Sequence, residues 1–216
     1  EFFLSGTVHA FTNKNEFFSD GLWEIQPEET AEYKTRIVVL RPIDPAKFSG
    51  TVFVEWFNTT TGQDSASSWR FGHTAVVRAG HVWVGVSAQA NTIEGSEGST
   101  ENSLKALNPD RYGSLKHPGD SFSYDIFSQV SQAILKPTTL DVLGGLSAQQ
   151  LLATGSAQSG GWLVTYINGI HPLYNPYNGY LLRNHGRHGS MPLSQPPQAL
   201  IETPDVVTIR DDLNVP

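Results

Sequence analysis

Two stretches of the chain are apolar at nearly every position. TVFVEWF (51–57) carries a single charge, Glu55, and HVWVGVSA (81–88) is polar only at His81 and Ser87. Runs of this kind, rich in β-branched and aromatic residues, predict strands covered by helices on both faces. Between them, residues 64–77 predict a helix through Trp69, Phe71, His73 and Val76, with Asp64 or Ser65 as its cap. Ala79-Gly80 ends it. The order strand, helix, strand implies a right-handed crossover in a parallel sheet.

The flanking pattern extends this α/β reading. Residues 2–11 form a β-like run broken at Gly6, and TRIVVLR (35–41) is a stronger strand ended by Pro42 and Pro45. These two supply an N-terminal antiparallel portion. Residues 91–116, rich in Gly, Ser, Asn and Glu, predict a long surface excursion. Phe122, Ile126, Phe127, Val130 and Ile134 recur at helical spacing, and Pro137 stops that helix. Residues 151–155 predict a short strand, and 159–170 a helix with Leu163, Tyr166, Ile167 and Ile170 on one stripe. Residues 172–197, punctuated by Pro176, Pro192 and Pro196, predict a loop-rich, cap-like insertion. No internal repeat or low-complexity tract interrupts the chain.

Composition narrows the classes. The 216 residues fit a single domain over 1–216, and 38% hydrophobic residues suffice for a sizeable core. Fourteen basic against 21 acidic residues give 14 − 21 = −7, which argues against a nucleic-acid partner. No apolar run approaches the ~18 residues of a membrane helix. There is no cysteine, which excludes disulfides, zinc-thiolate sites and a cysteine nucleophile and leaves the compartment open. Glu1-Phe2-Phe3-Leu4 has neither Met nor a signal-peptide pattern, and Asp211 to Pro216 stop where a strand would begin. Further residues are expected at both ends, the C-terminal part of the domain above all.

The chemistry concentrates in LLATGSAQSGGWLVTYINGIH (151–171). A strand enters Gly155, the chain turns through Ser156-Ala157-Gln158, and a helix leaves past Gly160-Gly161. This is the geometry of a nucleophile elbow, Gly-x-Ser-x-Gly, where small flanking residues avoid the neighbouring strand and helix. The helix N-terminus aims amide N–H groups at a developing oxyanion. Counted from Gly155, the serine position is Ala157, and a methyl group cannot attack a carbonyl. Three readings stand: serine replaced by alanine through engineering, a natural non-catalytic relative, or a shifted register in which Ser159 attacks.

The chain resembles the α/β-hydrolase family known only as alpha/beta hydrolase domain-containing proteins. The resemblance rests on TVFVEWFN (51–58), HVWVGVSAQ (81–89), LKALNPDRYGSLKHPGDSFSYDIFSQ (104–129), ATGSAQSGGWLVTYINGIHPL (153–173) and PLSQPPQALIETPDVVTIRDDLNVP (192–216). It covers nearly the whole chain. The family elbow resembles Gly-x-Ser-Gln-Ser, which places the expected serine at 157 and leaves Gln158 and Ser159 matching. The resemblance implies a mostly parallel sheet flanked by helices and hydrolysis of a small-molecule ester, or acyl transfer, with no cofactor. It also implies a triad acid and histidine later in the chain, here on a further polypeptide segment beyond Pro216.

Other residues are weighed against these roles. The loop after strand 51–57 supplies one oxyanion N–H in this fold, which makes Phe57, Asn58 and Thr59 candidates, with Gln158 as the second donor. Trp69 and Trp162 are candidates for an apolar acyl pocket. His171 lies about 20 Å from the elbow along its helix at ~1.5 Å per residue, too far for a base. His185 and His188 fall in a Gly-rich loop and suit a substrate rim. His117 and His73 suit structural roles. His185 and His188 lack a third ligand, so no metal is expected. Asp125 is either a buried hydrogen-bonding partner or part of a solvated face. Asp211 and Asp212 come too early to be the triad acid.

Overall fold

The computed structural model describes residues 1–16, 21–96, 100–138 and 140–184, and the backbone of two further short strands. Its centre is a six-stranded sheet in the order β1-β2-β4-β3-β5-β6. Strands β1 (Phe2–Asn13) and β2 (Ile25–Leu40) pair antiparallel, and β2 pairs antiparallel with β4. Strands β3 (Thr51–Trp56), β4 (Val82–Val86), β5 (Gln150–Ser156) and β6 (Gly179–Arg183) are mutually parallel.

The continuous apolar runs are the central strands, as their pattern requires. Val52, Val54 and Trp56 of β3, and Val82, Val84 and Val86 of β4, are buried on one face beneath α5 (Ser123–Leu135) and α6 (Gln158–Thr165). The alternate residues face α1 (Ser67–Arg78), where Trp69 packs on Trp83 with ring centroids 5.0 Å apart. Under α5 and α6 runs a continuous aromatic cluster. Trp56 meets Trp162 at 5.4 Å and Phe127 at 4.9 Å, and Phe127 stacks on Tyr177 at 5.2 Å.

Several expectations are corrected. Gly6 does not break β1; it pairs with Tyr33, and the irregularity falls between His9 and Phe11. Strand β2 begins ten residues earlier than its apolar part, at Ile25. Among the described residues its polar part pairs with β1 and, at Lys34 alone, with Lys116, so little of it is buried and it carries no apolar signature. Neither Asp64 nor Ser65 caps α1, whose N-cap is Ala66 without a side-chain bond. Asp64 instead pairs with Arg36 at 2.7 Å. The excursion 91–116 contains α2 (Ala90–Ile93), α3 (Leu104–Leu107) and α4 (Pro109–Tyr112), and Ile93, Leu104 and Leu115 form a small second core.

The helix expected over 159–170 ends at Thr165, passes through a π turn (Tyr166–Ile170) and re-phases into α7 (His171–Tyr174). Pro172 there has no N–H for an ordinary helical bond. Within 172–197, α7 and β6 are regular elements, and β6 joins the main sheet beside β5. Strands β7 (His188–Met191) and β8 (Gln198–Glu202) form a separate antiparallel pair. Among the described residues no helix is long and apolar enough to cross a membrane.

Candidate active site

In an open parallel sheet, ligands bind outside the carboxyl ends of adjacent strands whose connections leave in opposite directions. Here those strands are β3 and β5. The chain leaves β3 for β4 on one side, and leaves β5 for β6 on the other. The loop 57–66 and the turn at 157 therefore converge.

The turn is a strained strand-to-helix elbow. Ala157 has φ 53° and ψ −118°, a backbone conformation hostile to any residue with a Cβ. Its N–H donates to the Arg183 carbonyl at 2.8 Å, continuing the β5–β6 ladder. Its carbonyl accepts the first helical bond, from Gly161 N–H at 3.1 Å. Asn58 Nδ2 donates to the Ser156 carbonyl at 2.8 Å and braces the turn from the β3 side. Gly155 has a steric reason: a Cβ there would lie 2.9 Å from both Leu163 Cδ1 and the Ser159 carbonyl oxygen. Ala157 is exposed while Gly155, Ser156 and Ser159 are buried. The elbow thus presents residue 157 outward.

Ser159 is 1% exposed. Its hydroxyl accepts from Ser156 N–H at 3.0 Å and donates to the Ser156 carbonyl at 3.1 Å. It ties the first turn of α6 back onto β5.

The oxyanion candidates differ in what already occupies them. Phe57 N–H donates to the Val86 carbonyl at 3.2 Å, and Asn58 N–H to the Ser65 carbonyl at 3.0 Å. Thr59 N–H instead donates to a side chain, Gln158 Oε1, at 3.3 Å. Gln158 opens α6, where no preceding turn offers its N–H an acceptor. Trp162 is 5% exposed and packs against Trp56 and Tyr124 in the aromatic cluster. Trp69 lies on the opposite face, against Trp83.

The other titratable candidates are engaged away from residue 157. His117 is buried; Nε2–H donates to the Ala88 carbonyl at 2.8 Å, and Nδ1 accepts from Gly119 N–H at 3.2 Å. Burial pushes its pKa down, against the pull of Asp120 and Glu94. His171 Nδ1 lies 2.7 Å from the Tyr180 hydroxyl. His73 sits on exposed α1 with Nδ1 3.2 Å from the Trp69 carbonyl. Asp125 is the buried partner of the two readings: it accepts His9 N–H at 2.8 Å, and burial raises its pKa. His185, the His188 side chain, Asp211 and Asp212 lie outside the described residues.

Two contributors have no motif. Glu55 is buried in β3, accepts Ser68 N–H at 2.5 Å, Trp69 N–H at 2.9 Å and Trp83 Nε1–H at 2.9 Å, and so caps α1 from the strand. Burial raises its pKa despite those donors. Gln89, at the carboxyl end of β4, reaches both Thr59 and Gln158. The signal available for each was position alone: one charge within an apolar run, and a polar residue at a strand end.

A six-stranded sheet in this order, with a strained elbow after β5, defines an α/β-hydrolase domain. The model of the family described as "Alpha/beta hydrolase domain" matches residues 1–216, and the chain belongs to that family. No curated protein matches the chain. Solved structures similar to it include a carbohydrate esterase family 15 glucuronoyl esterase from Caldicellulosiruptor kristjansonii, at 15% identity and a TM-score of 0.33, covering 73% of this chain and 40% of that one. Acetyl xylan esterase 1 from Thermoanaerobacterium sp. JW/SL YS485 is 12% identical with a TM-score of 0.37, covering 80% and 53%. A glucuronoyl esterase from Solibacter usitatus is 13% identical with a TM-score of 0.39, again covering 80% and 53%. The matched part thus spans about half, or less, of the length of these proteins.

Proposed function

We propose that the domain is built for hydrolysis of a carboxylic ester, or acyl transfer from one, with position 157 as the nucleophile's place. The observation that carries this reading is the left-handed backbone of Ala157 at an exposed turn between a core strand and a buried helix. Such strain persists only where the surroundings enforce it, and it concentrates at reaction centres.

With serine at 157, Oγ attacks the ester carbonyl and its proton passes to a histidine base. The tetrahedral oxyanion is held by Gln158 N–H and by the segment 57–59, where Thr59 N–H has a displaceable partner. Collapse breaks the bond to the alcohol oxygen, which takes the proton from the base and leaves an acyl-enzyme. Water, or a second acceptor, then cleaves the acyl group by the reverse roles. The base and its acid lie outside the described side chains, and we place them on a further polypeptide segment. No cofactor enters this scheme.

The Ser159 register is disfavoured, because both functions of its hydroxyl are spent on Ser156. With Ala157 in place, the site holds an ester but forms no acyl-enzyme. A second reading is favoured by the alanine itself: a natural binding member whose cleft retains a ligand. The test is Ala157→Ser in the full-length protein, treated with a fluorophosphonate probe. Labelling at residue 157 is expected. Labelling at Ser159 would shift the register, and labelling at neither would support the binding member.

A further inference from the structure

Three chain segments meet at the elbow and are tied to one atom. Gln89 Oε1 accepts from Trp56 Nε1–H at 3.3 Å, from the Thr59 hydroxyl at 3.1 Å and from Gln158 Nε2–H at 3.0 Å. These donors come from the end of β3, from the loop that follows it, and from the first turn of α6. Gln89 is 2% exposed, and Trp56 and Thr59 are fully buried. Water therefore has no room to replace the acceptor, and its loss would strand donors in the interior.

The backbone around Gln89 is fixed as well. Its carbonyl accepts the Thr92 hydroxyl at 3.3 Å, and the next N–H, of Ala90, donates to Asp120 Oδ1 at 2.7 Å. The Thr59 carbonyl is held by Asn91 Nδ2 at 3.0 Å. The acceptor oxygen is thus a fixed point, and the loop and helix turn are hung from it.

We propose that Gln89 is the positioning residue of the oxyanion site: its side-chain oxygen sets the spacing between Thr59 N–H and the N-terminus of α6. This rests on the reading of position 157 given above. Gln158 Oε1 fills Thr59 N–H while the other end of the same carboxamide is gripped by Gln89. When a carbonyl oxygen arrives, Oε1 yields it the Thr59 N–H and Nε2 remains on Gln89, so the donor is uncovered without the loop being released. Gln89 touches no reacting atom; it acts through Thr59 and Gln158.

Two variants separate this role from packing. Gln89→Met keeps length and removes the acceptor; Gln89→Glu keeps acceptor oxygens at the same reach. In full-length protein with Ala157 in place, amide hydrogen exchange at Thr59 should quicken about tenfold in Gln89→Met, with β5 amides unchanged, and by less than about threefold in Gln89→Glu. In full-length protein carrying Ala157→Ser, the maximal fluorophosphonate labelling rate should fall about 50-fold in Gln89→Met, somewhat less than for outright loss of an oxyanion donor, with half-saturation within about twofold. Gln89→Glu should retain most of the rate.

Unchanged exchange at Thr59 in Gln89→Met, or a Gln89→Glu variant as impaired as Gln89→Met, would overturn the proposal. Global acceleration that includes β5 would do so too, by showing a packing role. If Ala157→Ser with Gln89 intact takes no label, the hydrolase reading fails by itself, and exchange at Thr59 still decides whether Gln89 sets the loop.

Discussion

Helix α6 buries every residue from Ser159 to Thr165, whereas α1, on the other face of the same sheet, buries none. Phe71 and Val77 of α1 are 69% and 63% exposed. Yet both helices start beside the candidate site. Helix α6 is fixed by packing, through Trp162 and its aromatic neighbours. Helix α1 is fixed at one end, by the buried Glu55 carboxylate that accepts its first N–H groups. Apolar contact is non-directional and tolerates sliding, while a charge-assisted bond to a helix N-terminus sets an angle and a register. The loop 57–66 leads into α1, so Glu55 sets its far end, while its buried start hangs from Gln89 through Thr59.

That contrast can be broken in four ways. The largest effect belongs to α6: Trp162→Ala should cost about 3–5 kcal/mol, read from the shift in the denaturant midpoint at constant slope. A cost near that of a surface change would show that packing does not hold this helix. Next, Glu55→Ala should cost about 2–3 kcal/mol by leaving buried donors without an acceptor. Its signature is local, with faster amide exchange at Ser68 and Trp69 than along β5; uniform exchange would remove the distinction between the helices.

A third, smaller effect titrates the neighbouring loop. The folded protein holds His117 neutral, with its pKa below the ordinary 6.5. The unfolded chain therefore binds more protons in that window, and stability should fall as pH drops below about 6.5. His117→Gln should flatten that arm; an unchanged slope would assign it to other groups. Least of all, Phe71→Ser should change stability by no more than about 0.5 kcal/mol. A larger loss would mean that α1 relies on apolar contact after all.

The parts of the fold legible in the sequence were those whose burial leaves a pattern. Strands β3 and β4 are apolar on both faces because helices cover both, and α5 shows its stripe because nine of its thirteen residues are buried. The first half of β2 left no pattern, because it extends past the central sheet, with β1 alone beside it among the described strands. Helices α2, α3 and α4 have four residues each, too few to establish a period. Strand β6 was hidden among prolines.

At the site, Gly155 and the small residues after it exposed the elbow, since steric crowding leaves a mark on residue choice. Gln89 left none. A carboxamide that accepts three bonds looks in sequence like any other glutamine, and only the meeting of β3, β4 and β5 gives it partners. Glu55 stood out as the lone charge of its run, but the helix it caps begins twelve residues later, beyond any local capping pattern.

The bend at residue 157 keeps its strained shape with only a methyl group as its side chain. The frame is held by Gly155, Asn58 and Ser159, and it does not depend on the side chain at 157 itself. On the reading of position 157 proposed above, a chain of this kind would serve as a snare. Steeped in an extract of natural esters and then washed, it would keep its preferred molecule uncut, and mass spectrometry of what it releases on denaturation would name that molecule directly.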